Sequence, residues 1–190
     1  MRKYKPSALP SDLRKLTDIA NEIACRAILV GSSLRDADNG IPPVSHSLYV
    51  YPKPSMNPKE AVKLFQKING PDCVETRSSA LGVYHYVLET PSNGKINLRF
   101  CDKPYMLTAT SLARHVPIGL SAIAMNLFSG EIVAAEAYRL DKFDQRITLA
   151  HEAHGALGIA EKIQHRYPDF PIYQDYGGEL RPALRTAVLA

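Results

Sequence analysis

Two serines spaced two residues apart, Ser45 and Ser47, have the side-chain type and spacing that bear most directly on chemistry. They open a run that continues to Tyr51 and indicates a β-strand. Because side chains alternate along a strand, both hydroxyls are expected on one face. Mg²⁺ prefers charged carboxylates, and a neutral hydroxyl is a poor substitute. The pair could bind polar groups of a ligand but would hold a divalent metal weakly.

The turn before this strand also has a specific composition. An apolar run over residues 27–30 stops at Gly31 and Ser32 and is followed by Leu34, Arg35 and Asp36. Glycine suits a tight turn after a strand. Arg35 and Asp36 are expected to pair and to hold this turn, which is a structural role that does not require catalysis.

The elements that position these residues follow from hydrophobic periodicity and turn signals. A first helical pattern starts over residues 11–13, with Ser11 as the expected N-cap. Further helices are predicted over residues 58–68, 105–113 and 147–166, and strands over residues 27–31, 48–51, 73–77, 83–90, 95–101 and 132–133. The pattern predicts an α/β (α+β) fold, with a mixed twisted sheet flanked by helices.

Composition places the chain among ordinary globular proteins. Its 190 residues are 45% hydrophobic and 22% charged, which argues against wholesale disorder. We expect one domain over residues 1–166 and an aromatic, proline-containing tail over 167–190. Three cysteines without ligand spacing argue against a disulfide framework and a zinc site. No apolar run approaches the roughly 20 residues that span a bilayer, so we expect a cytoplasmic protein without membrane partners.

The strand, the Gly-Ser turn and the Leu-Arg-Asp step together resemble the head domain of the nucleotidyltransferase superfamily, in its poly(A) polymerase/CCA-adding group. In that family the next strand carries Asp-x-Asp, where this chain has Ser45 and Ser47. Residues 94–100 resemble the later strand that carries a third carboxylate, and Asn97 occupies its position. The resemblance implies a two-metal site whose three ligand positions are neutral here.

A later family motif, Arg-Asp-Phe-Thr-Ile-Asn-Ala-Leu, resembles residues 116–123, with Val116 and Pro117 in place of Arg-Asp and Ser121 in place of Asn. The resemblance covers roughly residues 27–150. It implies a degenerate nucleotide-binding cleft without catalytic residues, metal or cofactor. The cleft residues would be Gly31, Ser32, Arg35, Ser45, Ser47, Asn97 and Ser121.

The function predicted from this resemblance is binding rather than catalysis, to a nucleotide, an RNA or a host protein partner. Small head-only proteins of this kind occur in phage genomes, so a phage origin and a host-cytoplasm location are inferred by analogy alone. One alternative is an active, Mg²⁺-dependent transferase with displaced carboxylates, for which the candidates are Asp36, Asp38, Glu75, Glu89 and Asp102. A second alternative is a pure protein-interaction factor acting on host machinery, using the aromatic residues of the tail: Tyr167, Phe170, Tyr173 and Tyr176.

Other side chains have simpler interpretations. His46 should point away from Ser45 and Ser47 and play a structural role. His151 and His154 are three apart rather than four and lack an evident third ligand, which favours a solvated helix face over a metal site. Tyrosines alternate along two extended segments, as Tyr49 and Tyr51 and as Tyr84 and Tyr86, where core packing and base stacking are both open.

Overall fold

The computed structural model describes residues 3–69, 74–80, 83–90, 94–101, 107–150 and 156–183. The helices are α1 Leu13–Ile23, α2 Ser32–Asp38, α3 Pro58–Asn69, α4 Ala109–His115, α5 Glu136–Phe143 and α6 Ala156–Gln164. The strands are β1 Ala24–Val30, β2 Ser45–Pro52, β3 Val74–Ala80, β4 Val83–Thr90, β5 Gly94–Phe100, β6 Ile123–Asn126, β7 Ile132–Ala134, β8 Ile147–Ala150, β9 Ile172–Tyr176 and β10 Glu179–Pro182. No described helix combines the length and the apolar content that crossing a bilayer requires.

A seven-stranded sheet in the order β3-β4-β5-β2-β1-β6-β7 organises the first part of the chain. Its strands pair antiparallel except for β2 and β5, which run parallel. The predicted mixed sheet flanked by helices is therefore confirmed. The parallel pair places Ser47 beside Asn97, and Tyr49 beside Arg99.

Helix α1 forms because its apolar residues recur at helical spacing and can be buried together. Leu16, Ile19 and Ile23 are at most 2% exposed and belong to the main hydrophobic core. The predicted N-cap was wrong, because the helix begins one residue later than a Ser11 cap requires. Asp12 occupies the cap position without a capping hydrogen bond. Its carboxylate instead lies 2.7 Å from Nε2 of His46 on β2, which ties the helix to the sheet.

The predicted helix over residues 147–166 was wrong in its first part. Residues 147–150 form β8, because they pair in parallel with β9 and bury Ile147 and Leu149. Residues 151–155, with His151 and His154, lie outside the described residues, and α6 begins at Ala156. The helix predicted over 105–113 begins at Ala109, and 102–106 are likewise outside the described residues. Helices α2 and α5 were not predicted.

A second sheet, in the order β10-β9-β8, follows the first one in the chain. Together with α6 it encloses a separate core cluster that contains Ile147, Leu149, Ile163 and Tyr167. Tyr167 is only 4% exposed, so the partner surface predicted for the tail is wrong at this residue, because burial and hydrogen bonding already occupy its ring and hydroxyl. Tyr176 is 60% exposed. The domain boundary before residue 167 stays a prediction.

Candidate functional site

A cleft of about 630 Å³ lies where the β1–α2 turn, the face of β2, α6 and the segment 116–121 meet. Six of the seven residues predicted for the nucleotide cleft line it: Gly31, Ser32, Arg35, Ser45, Ser47 and Ser121. The seventh, Asn97 on β5, is the register partner of Ser47 on β2 but is not among the described lining residues. The structure thus brings together side chains that lie up to 90 positions apart in the sequence.

Gly31 sets the shape of the turn that forms the floor of the cleft. Its backbone angles, φ 71° and ψ −110°, lie in a region that residues other than glycine rarely adopt. A Cβ at this position would lie 3.3 Å from the carbonyl oxygen of Ser121. The Gly31 amide also donates to the carbonyl of Ile123 on β6, at 2.8 Å. Glycine is therefore required here by backbone conformation and by the close approach of residue 121.

The strand β2 presents a row of hydroxyls to the cleft. Ser45, Ser47 and Tyr49 are partly exposed and line it, whereas His46 and the other intervening side chains are buried on the opposite face. The predicted orientation of His46 is confirmed. Ser32 Oγ donates to the Ser45 carbonyl at 3.1 Å and lies 3.3 Å from Ser45 Oγ. This row consists of neutral oxygen atoms.

Strand β5 adds an amide and a guanidinium next to that row. Asn97 Nδ2 is 3.5 Å from the carbonyl oxygen of His46. Arg99 lines the cleft, with its guanidinium carbon 5.0 Å from the centre of the Tyr49 ring and a hydrogen bond from Nη1 to the tyrosine hydroxyl. Strand β5 separates β2 from β4, so the two tyrosine pairs do not lie on adjacent strands.

Asp36 lies at the base of the cleft, where two guanidinium groups and one phenol hydroxyl contact its buried carboxylate. Oδ1 accepts from Arg35 Nε at 2.7 Å and from the Tyr167 hydroxyl at 2.9 Å, and Oδ2 is 3.1 Å from Arg166 Nη2. Arg35 Nη1 also donates to Ser121 Oγ at 3.0 Å. The predicted pairing of Arg35 with Asp36 is confirmed. Burial raises the pKa of the Tyr167 hydroxyl, which keeps it protonated as a donor to Asp36.

The described lining residues give the cleft a positive charge. The lining includes one carboxylate, that of Asp36, and four cationic side chains: Arg35, Arg99, Lys162 and Arg166. The formal excess is three positive charges. Apolar side chains form much of the remaining wall: Val44, Leu112, Val116, Ile118, Ile159 and Ile163. A ligand with an anionic part and a flat or apolar part suits such a lining.

The donor set does not fit a catalytic divalent metal. Mg²⁺ is held in proteins by carboxylates, and the residues at the family's ligand positions are two hydroxyls and an amide. Within the described residues no group of three or more His, Cys, Asp and Glu side chains is placed to hold a metal ion. Asp36 is already bonded to two guanidinium groups and a phenol.

Of the candidate carboxylates of the active alternative, Asp36 lines the cleft, among the residues whose side chains are described. Asp38 is buried elsewhere, where it accepts from Tyr4 and Tyr138 and pairs with Lys142 at 2.8 Å. Glu75 and Glu89 lie on β3 and β4, which are separated from β2 by β5. Asp102 lies outside the described residues.

Sequence reasoning missed three cationic residues of the cleft, Arg99, Lys162 and Arg166. Arg99 follows Asn97 by two positions on a strand, so the same-face rule applied to β2 would have placed it beside that residue. Ile159, Lys162, Ile163 and Arg166 follow the i, i+3, i+4, i+7 spacing typical of one helix face, although α6 ends at Gln164. That spacing was a signal in the sequence, but nothing local indicated which cleft the face would meet.

Comparison with known proteins shows which fold this is. No family model and no curated protein matches the chain. Among solved structures, a CCA-adding enzyme with ATP aligns over 90% of this chain at 16% sequence identity, with a TM-score of 0.63. The Thermotoga maritima CCA-adding enzyme complexed with tRNA aligns over 90% of this chain at 15% sequence identity, with a TM-score of 0.59. A tRNA-processing enzyme in its apo form aligns over 90% at 19%, with a TM-score of 0.56.

These similarities establish a nucleotidyltransferase-like fold and nothing finer. The chain spans 43%, 43% and 45% of the three matched structures, which is less than half of each. The activities in the names of those proteins therefore belong to chains more than twice as long.

Proposed function

We propose that this protein uses its nucleotidyltransferase-like cleft to bind a nucleotide or the end of an RNA, and that it does not transfer nucleotides. The observation that carries the proposal is the neutral set Ser45, Ser47 and Asn97 on adjacent, register-paired strands, at the edge of a positively charged cleft. Losing the metal clamp removes several kcal/mol of transition-state stabilisation while leaving the shape of the cleft intact.

The geometry supports ligand binding through two complementary surfaces. The hydroxyls of Ser32, Ser45 and Ser47 can donate to or accept from a ribose or a base edge. The apolar wall around Val116 and Ile159 can cover one side of a base. The fold neighbours named above include one solved with ATP and one with tRNA, which makes these ligands the first to test.

The test is a pair of assays on the full chain. Labelled ATP, CTP, GTP and UTP are offered with RNA acceptors in Mg²⁺ or Mn²⁺, and no incorporation is expected. Fluorescence anisotropy with labelled nucleotides and short RNAs should show saturable binding. Incorporation that EDTA abolishes would overturn the proposal, and so would a lack of binding to every nucleotide and RNA tested.

For the protein-interaction alternative, fewer aromatic residues of the tail are accessible to a partner than the sequence indicated. Tyr167 is buried, and Tyr176 remains 60% exposed on β9. If this alternative holds, substitution of Tyr176 changes association with a protein and leaves nucleotide binding unaffected. The phage origin and the cytoplasmic location inferred from the sequence stay predictions.

A further inference from the structure

Two cationic residues that line the cleft each have a buried nitrogen atom without a hydrogen-bond partner. These are the Nε atoms of Arg99 and Arg166. A buried donor without an acceptor is unfavourable, so protein acceptors do not fully satisfy these two guanidinium groups, which makes them candidates to hold an anion in the cleft. Arg99 lies on β5 and Arg166 follows α6, so a ligand bound by both would connect the seven-stranded sheet to the segment that follows α6.

Both guanidinium groups are held in place before any ligand arrives. Arg99 packs over the Tyr49 ring and donates to its hydroxyl. Arg166 donates to the Pro42 carbonyl at 2.6 Å and pairs with Asp36. A preorganised arginine loses less side-chain freedom on binding an anion than a mobile one, and its planar fork matches phosphate oxygens.

We infer, on the basis of the proposed function, that Arg99, Lys162 and Arg166 form a phosphate subsite that works without a divalent metal. Lys162 is exposed on α6 and contributes a third positive charge. In this arrangement the cations neutralise the phosphates directly, where the family arrangement would use carboxylate-bound metal. The ligand class is therefore a phosphorylated nucleoside or a phosphate-bearing RNA end, taken up as the free anion.

Isothermal titration of the full chain with ATP, in EDTA and in excess Mg²⁺, tests this inference. We expect binding in EDTA, and weakening by several-fold in Mg²⁺, because the metal competes with the arginines for the phosphates. Inorganic tripolyphosphate should displace ATP, and adenosine should displace it poorly. A charge-assisted hydrogen bond is worth about tenfold or more in affinity. Arg99→Gln should therefore weaken ATP binding by about tenfold, and Lys162→Gln by about threefold.

The matched control is Arg181→Gln on β10, which removes one positive charge from a side chain that is 62% exposed and pairs with Glu179 away from the cleft. It should bind ATP within about twofold of the unaltered chain at equal ionic strength. Because Arg166 contacts buried Asp36, Arg166→Gln could unfold the protein. Lys162→Gln avoids this problem, and melting curves verify the fold of each variant.

The outcomes separate the inference from the proposed function. If ATP binds only when Mg²⁺ is present, the phosphate subsite is wrong and nucleotide binding stands. If ATP binds in EDTA but the folded Arg99→Gln and Lys162→Gln variants bind as tightly as the unaltered chain, the assignment of these residues is wrong. If neither ATP nor any tested RNA binds under either condition, both proposals fall.

Discussion

Restoring carboxylates at the three neutral positions should create a divalent-metal site. The variant combines Ser45→Asp, Ser47→Asp and Asn97→Asp. Two residues along β2 separate the first pair by about 6.6 Å of strand, and a neighbouring strand lies about 4.8 Å away. Ser47 and Asn97 are direct partners in the parallel register, so all three carboxylates would meet at one patch of the sheet.

Without metal, the three new charges should destabilise the fold. Two unit charges 5–7 Å apart repel by about 2–3 kcal/mol at an effective dielectric constant of 20. Neighbouring cations, Arg99 above all, offset part of this repulsion. Mutual repulsion raises the carboxyl pKa values in the folded state, so the stability of the variant should fall as the pH rises through those values and recover towards pH 4.

Mn²⁺ should restore the stability that the carboxylate variant loses. A metal present at 100 times its dissociation constant adds about 2.7 kcal/mol of stability, which corresponds to a melting temperature roughly 5–10 °C higher for a domain of this size. The unaltered chain should shift by less than about 1 °C, because its donors are neutral. The control variant Ser45→Asn with Ser47→Asn adds the same volume without charge. The placement of the cleft residues is refuted if the carboxylate variant is folded and gains no more from Mn²⁺ than this control.

Three further substitutions test the backbone and the buried charges, each by urea unfolding. Gly31→Val should cost at least about 2 kcal/mol, since its φ is 71° and a Cβ would meet the Ser121 carbonyl at 3.3 Å; a loss below 0.5 kcal/mol would contradict this. Gly119→Ala should cost about 1–3 kcal/mol, because its Cβ would lie 2.4 Å from Oδ2 of buried Asp141; an unchanged midpoint would show that this carboxylate can move. Burial opposes ionisation of Asp38, but its hydrogen bonds outweigh that effect and hold its pKa below 3.8. Asp38→Asn should therefore cost about 3 kcal/mol at pH 7, and the difference should shrink as the pH falls below about 4.

The parts of the fold that were predicted correctly are those specified by local pattern. The apolar run before Gly31 and the alternation after Ser45 define two strands without reference to the rest of the chain. The six residues that line the cleft were found through the family resemblance, because their polar types alone do not distinguish a cleft from any loop surface. Asn97 was placed on the correct neighbouring strand but lies beyond the described lining of the cleft.

The parts that were missed depend on partners distant in the sequence. The sequence around Ile147 and Leu149 is compatible with a strand or a helix. It forms a strand because these residues pair with Ile172 and Gln174 on β9. Periodicity within residues 147–166 cannot report that partner. Lys162 and Arg166 were missed for the same reason, since their helical spacing was recognisable in the sequence but the cleft that they line was not.

The Arg-Asp step has a structural role that does not depend on a bound metal. The Asp36 carboxylate accepts from Arg35 on its own helix and from Tyr167 and Arg166 beyond α6. Breaking a buried charge cluster of this kind costs about 3–5 kcal/mol, because the remaining charges are left unpaired. The step therefore stabilises the protein whether or not a nucleotide is transferred, and its presence indicates the fold rather than the reaction.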